Sequence, residues 1–242
     1  MRETIKFCIF FLLISFCTVE VFAIPAEINI VAVEHEGYID ADGRGLCCDI
    51  FKKIYEVFGI KVNFHLVSFA RAKEAVLKGT ADILAGAYRF EVEGGLYPRM
   101  YFDYRPIAAL FWKKQEGNLW RKEASLKGVL GWVRGADYNK YLAAQYDYRE
   151  YKNLHECLMN LSAERINFVL GNYNEIKNLF EERTVFRNDF RFEVLMNLYI
   201  FPVFNKLKGV ELSEMYDRRM KEINKTGELK AIFLQNGKDW PY

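Results

Sequence analysis

The sequence predicts an α/β protein of two lobes that are joined by two crossing segments of the chain. Three observations predict this fold. The first half alternates short apolar strands with helices, the same layout begins again after residue 125, and apolar segments lie near residues 105–113 and 198–204. Such segments are expected where the chain passes between lobes. Ligand sites commonly lie in the cleft between two lobes.

Three strands and two helices are expected in the first half of the chain. In order, they are a strand at 28–33, a loop at 34–45, a helix at 46–58, a strand at 61–67, a helix at 69–78 and a strand at 83–85. The strands are β-branched or alternating runs, and the helices carry apolar residues three and four positions apart. Ser68 precedes the second helix as an N-cap, and Gly59 and Gly79 follow the helices as C-caps. The order β-α-β-α-β predicts parallel strands with right-handed crossovers.

Residues 81–112 are expected to build one wall of the cleft and then to cross into the second lobe. The buried strand at 83–85 ends in a loop that contains glycine, with Tyr88 and Arg89 just past its carboxyl end. In open α/β sheets, ligands bind outside the carboxyl ends of the strands. The apolar run at 106–112 then leads into a new α/β pattern.

The second lobe repeats the layout of the first. The predicted elements are a helical turn at 125–126, strands at 129–133, 148–151, 167–170 and 192–197, and helices at 138–146, 154–162 and 174–182. Pro202 lies within residues 199–204, and because proline cannot donate to a ladder we expect a bent connection there. Helices at 212–224 and 228–235 follow, separated by Gly227. We therefore assign residues 24–111 and 201–242 to lobe 1 and residues 112–200 to lobe 2.

The composition excludes some classes of partner. Of the 242 residues, 51% are hydrophobic and 27% charged, and the formal net charge is +2. Positive and negative residues are interspersed, so no basic stripe indicates a nucleic-acid partner. The 20 Phe, 15 Tyr and 4 Trp suit either dense cores or a cleft that stacks on its ligand. Composition alone does not distinguish between these two possibilities.

The N-terminal residues 1–23 have the pattern of a secretory signal peptide. Arg2 and Lys6 precede an apolar run at 7–17, and Ala23 follows as a small residue at a cleavage position. We expect cleavage after Ala23, with Ala26 as the second choice. Because no later run approaches the roughly 18 apolar residues of a membrane helix, we expect a soluble, periplasmic protein.

The cysteines and histidines form no metal-binding or catalytic motif. Cys47, Cys48 and Cys157 remain after loss of the signal peptide. We expect small buried residues in preference to a disulfide or a reactive thiol. The three histidines show no ligand spacing with the cysteines, so we expect no zinc and no other cofactor.

Eight residues are candidate ligand-binding residues because they lie at strand ends, at helix starts or in the adjoining loops. They are Tyr38, Phe69, Arg71, Tyr88, Arg89, Trp132, Asp137 and Asn172. Arginine suits an anionic ligand group, and aromatic side chains can stack on a ligand. Five have alternative roles: Tyr38 in surface packing, Arg71 as a solvated helix residue, Trp132 in the core, and Asp137 or Asn172 as a helix cap.

Seven short motifs occur in a characteristic order and spacing. They are DGRG at 42–45, FARA at 69–72, LKGTAD at 77–82, GAYR at 86–89, LKGVLGWVRG at 126–135, LSAERIN at 161–167 and YDRR at 216–219. Together they resemble the bacterial extracellular solute-binding proteins, family 3, that serve polar amino acid ABC transporters. The resemblance implies a type II periplasmic-binding fold with two crossover hinge segments. It also implies a small polar solute, amino-acid-like or organic-acid-like, and an ABC transporter permease as partner.

Two positions depart from the family's pattern. The resemblance implies an Arg four residues after Arg89 to hold an amino acid's carboxylate, and here Glu93 stands there. It implies an Asp for the ligand ammonium, and here the nearest match is Asn172. A glutamate cannot replace the two charge-assisted hydrogen bonds of an arginine. A free α-amino acid is therefore doubtful as the ligand, unless Arg89 or Arg99 takes the anion role.

Three functions are compatible with this fold, because fold alone does not fix function. We expect a monomeric binding protein first, and a sensory protein that reports to a membrane receptor second. A periplasmic dehydratase or lyase comes third. An enzyme would need an acid or base near the reacting group. Glu34, Glu91 and Glu93 are available, but no motif marks one as catalytic, so we expect no enzymatic activity.

Overall fold

The computed structural model describes residues 25–35, 37–115, 120–182 and 189–241. The predicted signal peptide at residues 1–23 lies outside the described residues. Within the described ranges, no helix is both long and apolar enough to cross a membrane.

The described residues form an α/β fold whose helices and strands largely follow the sequence periodicity. The strands are β1 (Glu27–Ala32), β2 (Lys61–Leu66), β3 (Ile83–Tyr88), β4 (Asp103–Trp112), β5 (Leu130–Val133), β6 (Tyr148–Tyr151), β7 (Phe168–Asn172) and β8 (Phe190–Phe204). The α-helices are α1 (Leu46–Tyr55), α2 (Phe69–Lys78), α3 (Leu154–Ser162), α4 (Tyr173–Glu182), α5 (Val210–Thr226) and α6 (Glu228–Gln235). Gly59 and Gly79 have φ of +74°, which suits glycine at the ends of the first two helical segments.

The eight strands form one curled sheet in the order β2-β1-β3-β8-β4-β7-β5-β6. Strands β1, β2 and β3 are parallel, as are β5, β6 and β7. Each parallel group belongs to one lobe, and β4 and β8 cross between the groups as an antiparallel pair. The two predicted lobes therefore share one sheet. The sheet is continuous because the crossing segments are themselves strands and hydrogen-bond to each other along their length.

The prediction of a bent connection at residues 199–204 is wrong, because β8 continues through Pro202 to Phe204. Strand β3 accommodates the proline with a bulge. Leu84 pairs with Val203 and Ala87 pairs with Phe201, so two residues of β3 lie opposite Pro202. Since proline has no N–H to donate, the irregularity falls where the ladder would lack a hydrogen bond.

The helix predicted at residues 138–146 is also wrong, because only the 3-10 turn Tyr138–Lys140 forms there. Glu123 satisfies polar groups of the following segment. Its carboxylate accepts a hydrogen bond from the Ala144 N–H at 3.0 Å, and its carbonyl accepts one from the Tyr146 hydroxyl at 3.2 Å. These bonds compete with helical ones for the segment's hydrogen-bonding groups.

Four clusters of buried apolar side chains form the core. Two of them draw their buried members from residues 28–102 and 203–233, and the other two from residues 107–198. The residues 107–111 therefore pack with the second pair. The lobe boundaries at 111–112 and 200–201 stay a prediction, and this packing favours a first crossing before residue 107.

Buried Asn205 fastens the end of β8 to α2. Its side-chain amide donates to the carbonyl of Val76 at 2.7 Å. Its side-chain oxygen accepts from the N–H groups of Leu207 and Lys208, both at 3.0 Å. One side chain thus satisfies three backbone groups at a turn, which is the usual condition for burying a polar residue.

The prediction of small, buried and unpaired cysteines is confirmed for Cys47, Cys48 and Cys157. Burial raises the pKa of Cys48 to about 11 and that of Cys157 to about 12. Burial also raises the pKa of Cys47 well above its ordinary value. The thiols are therefore protonated at neutral pH, when they are poor nucleophiles.

Candidate functional site

Two adjoining cavities lie along the junction of the lobes. The first-lobe cavity, of about 230 Å³, has an aromatic wall formed by Tyr38, Phe69, Tyr88 and Phe102. The interlobe cavity, of about 310 Å³, is lined from the second lobe by Tyr138, Asn172 and Glu175, among others. Both cavities are lined by Tyr88, Glu91 and Arg105. These three residues therefore mark the point where the two cavities meet.

The turn after β3 places Glu91 at this point. The carboxylate of Glu91 accepts a hydrogen bond from the Tyr88 N–H at 2.7 Å, which folds the loop back on the strand end. The Tyr97 hydroxyl donates to the Tyr88 carbonyl at 2.9 Å and accepts from the Val92 N–H at 3.0 Å. Phe90, between them, has a φ of +73°, a conformation that non-glycine residues adopt mainly at constrained sites. The loop is thus held by hydrogen bonds on both sides of Glu91.

Arg105 enters the junction from the crossing strand β4. Its Nη2 lies 3.1 Å from Nε2 of His35, and because arginine only donates, that histidine nitrogen is the acceptor. Its guanidinium carbon lies 5.9 Å from the centre of the Tyr38 ring. Arg105 is therefore oriented by two groups of the loop after β1.

Asp103, on β4, is a buried carboxylate that holds Tyr38 of the aromatic wall by a hydrogen bond. It is only 7% exposed, and its carboxylate accepts hydrogen bonds from the Tyr104 N–H at 2.8 Å and from the Tyr38 hydroxyl. Burial raises the pKa of Asp103, and the two hydrogen bonds and the charge of Arg105 oppose that rise. Burial, followed by the charge of Asp103, raises the pKa of Tyr38, so Tyr38 remains a neutral hydrogen-bond donor.

The cavity side chains Tyr88 and Glu91 also have raised pKa values. Burial raises the pKa of Tyr88 to about 12. Burial raises the pKa of Glu91 as well, although the hydrogen bond from the Tyr88 N–H stabilises its charged form. A carboxyl group of this kind can bind a cation when ionised or donate a proton when neutral.

Four of the eight candidate residues line the two cavities. Tyr38 and Phe69 line the first-lobe cavity, Asn172 the interlobe cavity and Tyr88 both. The Asn172 side-chain oxygen accepts from the N–H groups of Asn174 at 2.9 Å and Glu175 at 3.4 Å. It therefore caps the start of α4, the alternative role that its position suggested. Direct contact between these residues and a ligand stays a prediction.

Three other candidates lie away from both cavities. Arg71 is exposed on α2. Trp132 is fully buried in the second-lobe core and stacks on Tyr148 with ring centres 4.4 Å apart. Asp137 forms an ion pair with Lys140 at 2.5 Å. Their predicted roles in ligand binding gain no support from these positions.

Arg89, the eighth candidate, lines neither of the two adjoining cavities. Its guanidinium donates to the Pro98 carbonyl at 3.1 Å and packs 4.2 Å from the centre of the Phe201 ring. It lines a further cavity of about 350 Å³ together with Tyr199 and Phe201. Tyr88 lines this cavity as well, and Leu198 lines both it and the interlobe cavity, so this third cavity adjoins the other two.

Sequence reasoning gave Glu91 only as an unmarked acid and did not consider Arg105. Both signals were present in the chain. Glu91 follows the end of β3 by three residues, and Arg105 directly precedes the apolar run at 106–112 of the crossing strand. Glu93, which stands where the family's arginine was expected, is exposed and lines neither of the two adjoining cavities.

The comparisons with known proteins bear on the fold. No protein-family model and no curated protein matches the chain. Among solved structures, the probable amino-acid ABC transporter extracellular-binding protein ytmK from Bacillus subtilis is 17% identical. The match covers 86% of this chain and 96% of that one, with a TM-score of 0.55.

Two further structures have the same architecture. Substrate-binding domain 2 of Lactococcus lactis GlnP, in an open conformation, is 17% identical over 86% of this chain and 94% of its own, with a TM-score of 0.53. The ancestral amino acid-binding protein AncCDT-1, a precursor of cyclohexadienyl dehydratase, is 13% identical over 87% and 94%, with a TM-score of 0.52. The chain therefore has the two-lobed type II periplasmic-binding fold that its sequence motifs implied.

Proposed function

We propose that the protein is an exported solute-binding protein that captures a small polar solute between its lobes for delivery to an ABC transporter. The observation that carries this proposal is the pair of adjoining cavities that meet at Tyr88, Glu91 and Arg105. Residues of both lobes line the interlobe cavity, so a solute there would contact both at once. The binding proteins of amino-acid transporters that share the fold support this function.

Capture would proceed by closure of the lobes about β4 and β8. A solute that contacts both lobes binds the closed arrangement better than the open one, and it shifts the population toward closure. The two crossing strands are continuous β-structure and not loops, which fits a rotation of the lobes as rigid bodies. Closure also removes water from around the solute, which strengthens its polar contacts. Delivery to a membrane receptor, the sensory alternative, would use the same closed arrangement.

Catalysis is a second candidate because Glu91 combines a cavity position with a raised pKa. A neutral carboxylic acid beside a bound solute could protonate a leaving group. The fold also includes AncCDT-1, a precursor of a dehydratase. Binding is preferred because a general acid needs a partner base or leaving group at a defined distance, and none is placed by the described residues.

A thermal-shift screen of residues 24–242 against amino acids, organic acids, amines and short peptides tests the proposal. A solute present at 100 times its dissociation constant stabilises the protein by about 2.7 kcal/mol, which for a chain of this size raises the Tm by about 5–11 °C. Tyr88→Ala should reduce that shift, whereas Tyr148→Ala, outside both cavities, should retain it. Consumption of a stabilising solute would favour the enzyme. Absence of any shift across the screen would contradict solute binding.

A further inference from the structure

Three charged side chains within the described ranges line the two adjoining cavities, and they differ in whether a neighbouring residue of opposite charge neutralises them. Among the described residues, the charged side chains in the two linings are Arg105, Glu91 and Glu175. Arg105 interacts electrostatically with Asp103 on the same strand and donates to His35. Its positive charge is therefore offset from within the protein.

Neither glutamate is paired with a cation of the described residues, although Glu91 accepts a hydrogen bond from the Tyr88 N–H. Within the described ranges, no lysine or arginine nitrogen forms an ion pair with Glu91 or Glu175 within 4.0 Å. The positive charge of Lys140 lowers the pKa of Glu91, but Lys140 forms an ion pair with Asp137. Glu91 is half-buried, and a partly desolvated carboxylate costs free energy to the extent that cations and hydrogen-bond donors do not compensate it, whereas Glu175 is exposed. The interlobe cavity thus has a local excess of negative charge.

The walls beside these carboxylates are aromatic. Tyr38, Phe69 and Phe102 line the first-lobe cavity, and Tyr88 lies at the point where it meets the interlobe cavity. Aromatic faces attract organic cations and pack against apolar groups. A solute with one positive end and an apolar body would satisfy both parts of this surface.

An amino-acid carboxylate lacks the anchor that the family pattern would give it. Glu93, at the position of the family's carboxylate-binding Arg, is exposed and outside both cavities. Asn172, at the position of the family's ammonium-binding Asp, is engaged as the cap of α4, so Glu91 and Glu175 are the carboxylates of these linings that can bind a cation. We propose that the captured solute is an organic amine. Its ammonium group binds Glu91 and Glu175, and its apolar part packs against the aromatic wall. This inference rests on the proposed function and narrows it to one class of solute.

Three probes that share a phenyl body separate the charge requirements. They are 2-phenylethylamine, L-phenylalanine and 3-phenylpropionate, which carry a cation, both charges and an anion. Titration calorimetry of residues 24–242 should give the amine the lowest Kd, with the acid weaker by at least about tenfold, because the carboxylates attract the first and repel the second. Tightest binding of the acid would overturn the inference.

Glu91→Gln and Glu93→Gln form a matched pair of variants. Each removes one carboxylate charge from the same loop, but only Glu91 lines the cavities. Glu91→Gln should weaken the amine about tenfold or more, as expected for loss of a charge-assisted hydrogen bond. Glu93→Gln should leave its affinity unchanged. Equal affinity of both variants and wild type would overturn the assignment of Glu91.

Arg105→Gln gives a test of opposite sign. Removal of this positive charge beside the bound ammonium should increase the affinity for the amine, and a loss of affinity would overturn the inference. A melting curve for each variant establishes that it is folded. If another solute of the thermal-shift screen binds but none of the three probes does, the amine inference fails and the proposed function stands. If no solute from either set binds, both fail.

Discussion

Removal of the Tyr141 ring should open the lobes when no solute is bound. Tyr141 belongs to the second lobe, and its ring centre lies 6.2 Å from that of Tyr88 and 6.5 Å from that of Phe90, both in the first lobe. The pair with Tyr88 is edge to face, with an interplanar angle of 79°. These contacts stabilise the arrangement in which the lobes lie close together, and Tyr141→Ala removes both.

The size of the effect follows from the two ring pairs. Each aromatic pair contributes about 0.5–1.5 kcal/mol beyond its buried area, so the two together contribute about 1–3 kcal/mol. A coupling free energy of that size changes the ratio of closed to open protein by about 5- to 150-fold. Tyr141→Phe keeps the ring and removes only the hydroxyl, so it is the matched control.

Small-angle X-ray scattering measures this change. The radius of gyration of solute-free Tyr141→Ala should exceed that of wild type and of Tyr141→Phe, and a saturating solute should restore it. The solute should also bind the alanine variant more weakly, by up to the same factor, since binding must now also close the lobes. An unchanged radius together with unchanged affinity would refute the role of these ring contacts in closure.

Three further predictions concern the scaffold. Asn205→Ala should lower the free energy of unfolding by about 2–4 kcal/mol, because it leaves the Val76 carbonyl and two N–H groups without their buried partner; an unchanged urea midpoint would contradict this. Gly45→Ala should destabilise by about 1–3 kcal/mol and weaken solute binding, since φ is +112° and the new Cβ would lie 2.6 Å from the Tyr38 carbonyl oxygen; wild-type melting and calorimetry would argue against it. The three buried cysteines should react with Ellman's reagent only after unfolding, and rapid native-state labelling would show that the thiols are accessible.

The local elements could be predicted where a periodic pattern is bounded by strong end signals. The helices at 154–162 and 228–235 match α3 and α6, and Gly227 ends α5 in the left-handed conformation. The segment at 138–146 failed because the partner of its backbone groups is Glu123, which lies some twenty residues earlier in the chain. A periodic pattern cannot reveal such a competitor.

The sequence indicated where the chain crosses between the lobes, but not that both crossing segments are strands or how those strands pair. Apolar runs indicated where the chain passes between lobes, whereas Pro202 argued against a central strand. The bulge in β3 that accommodates this proline is a property of two strands that lie more than a hundred residues apart. Register between distant strands depends on tertiary packing, which a single sequence does not state.

The composition of the candidate site also depends on tertiary packing, so the sequence indicated only some of the residues that line it. Tyr38, Phe69 and Tyr88 line the first-lobe cavity, and their contact with a ligand stays a prediction. Glu91 enters the site because its loop folds back onto the Tyr88 N–H, and Arg105 because β4 runs along the floor of the junction. Their positions in the sequence mark both residues, but the sequence alone does not show that either side chain faces a cavity.

The most direct test of solute capture between the lobes is a crystal structure with the solute that gives the largest thermal shift. The bound solute should lie where the two cavities meet, in contact with Tyr88 from the first lobe and with side chains of the second lobe. An ammonium group of that solute should lie within hydrogen-bond distance of the Glu91 carboxylate. A solute bound beside Arg89 without contact with Glu91, or bound to one lobe alone, would contradict capture at this junction.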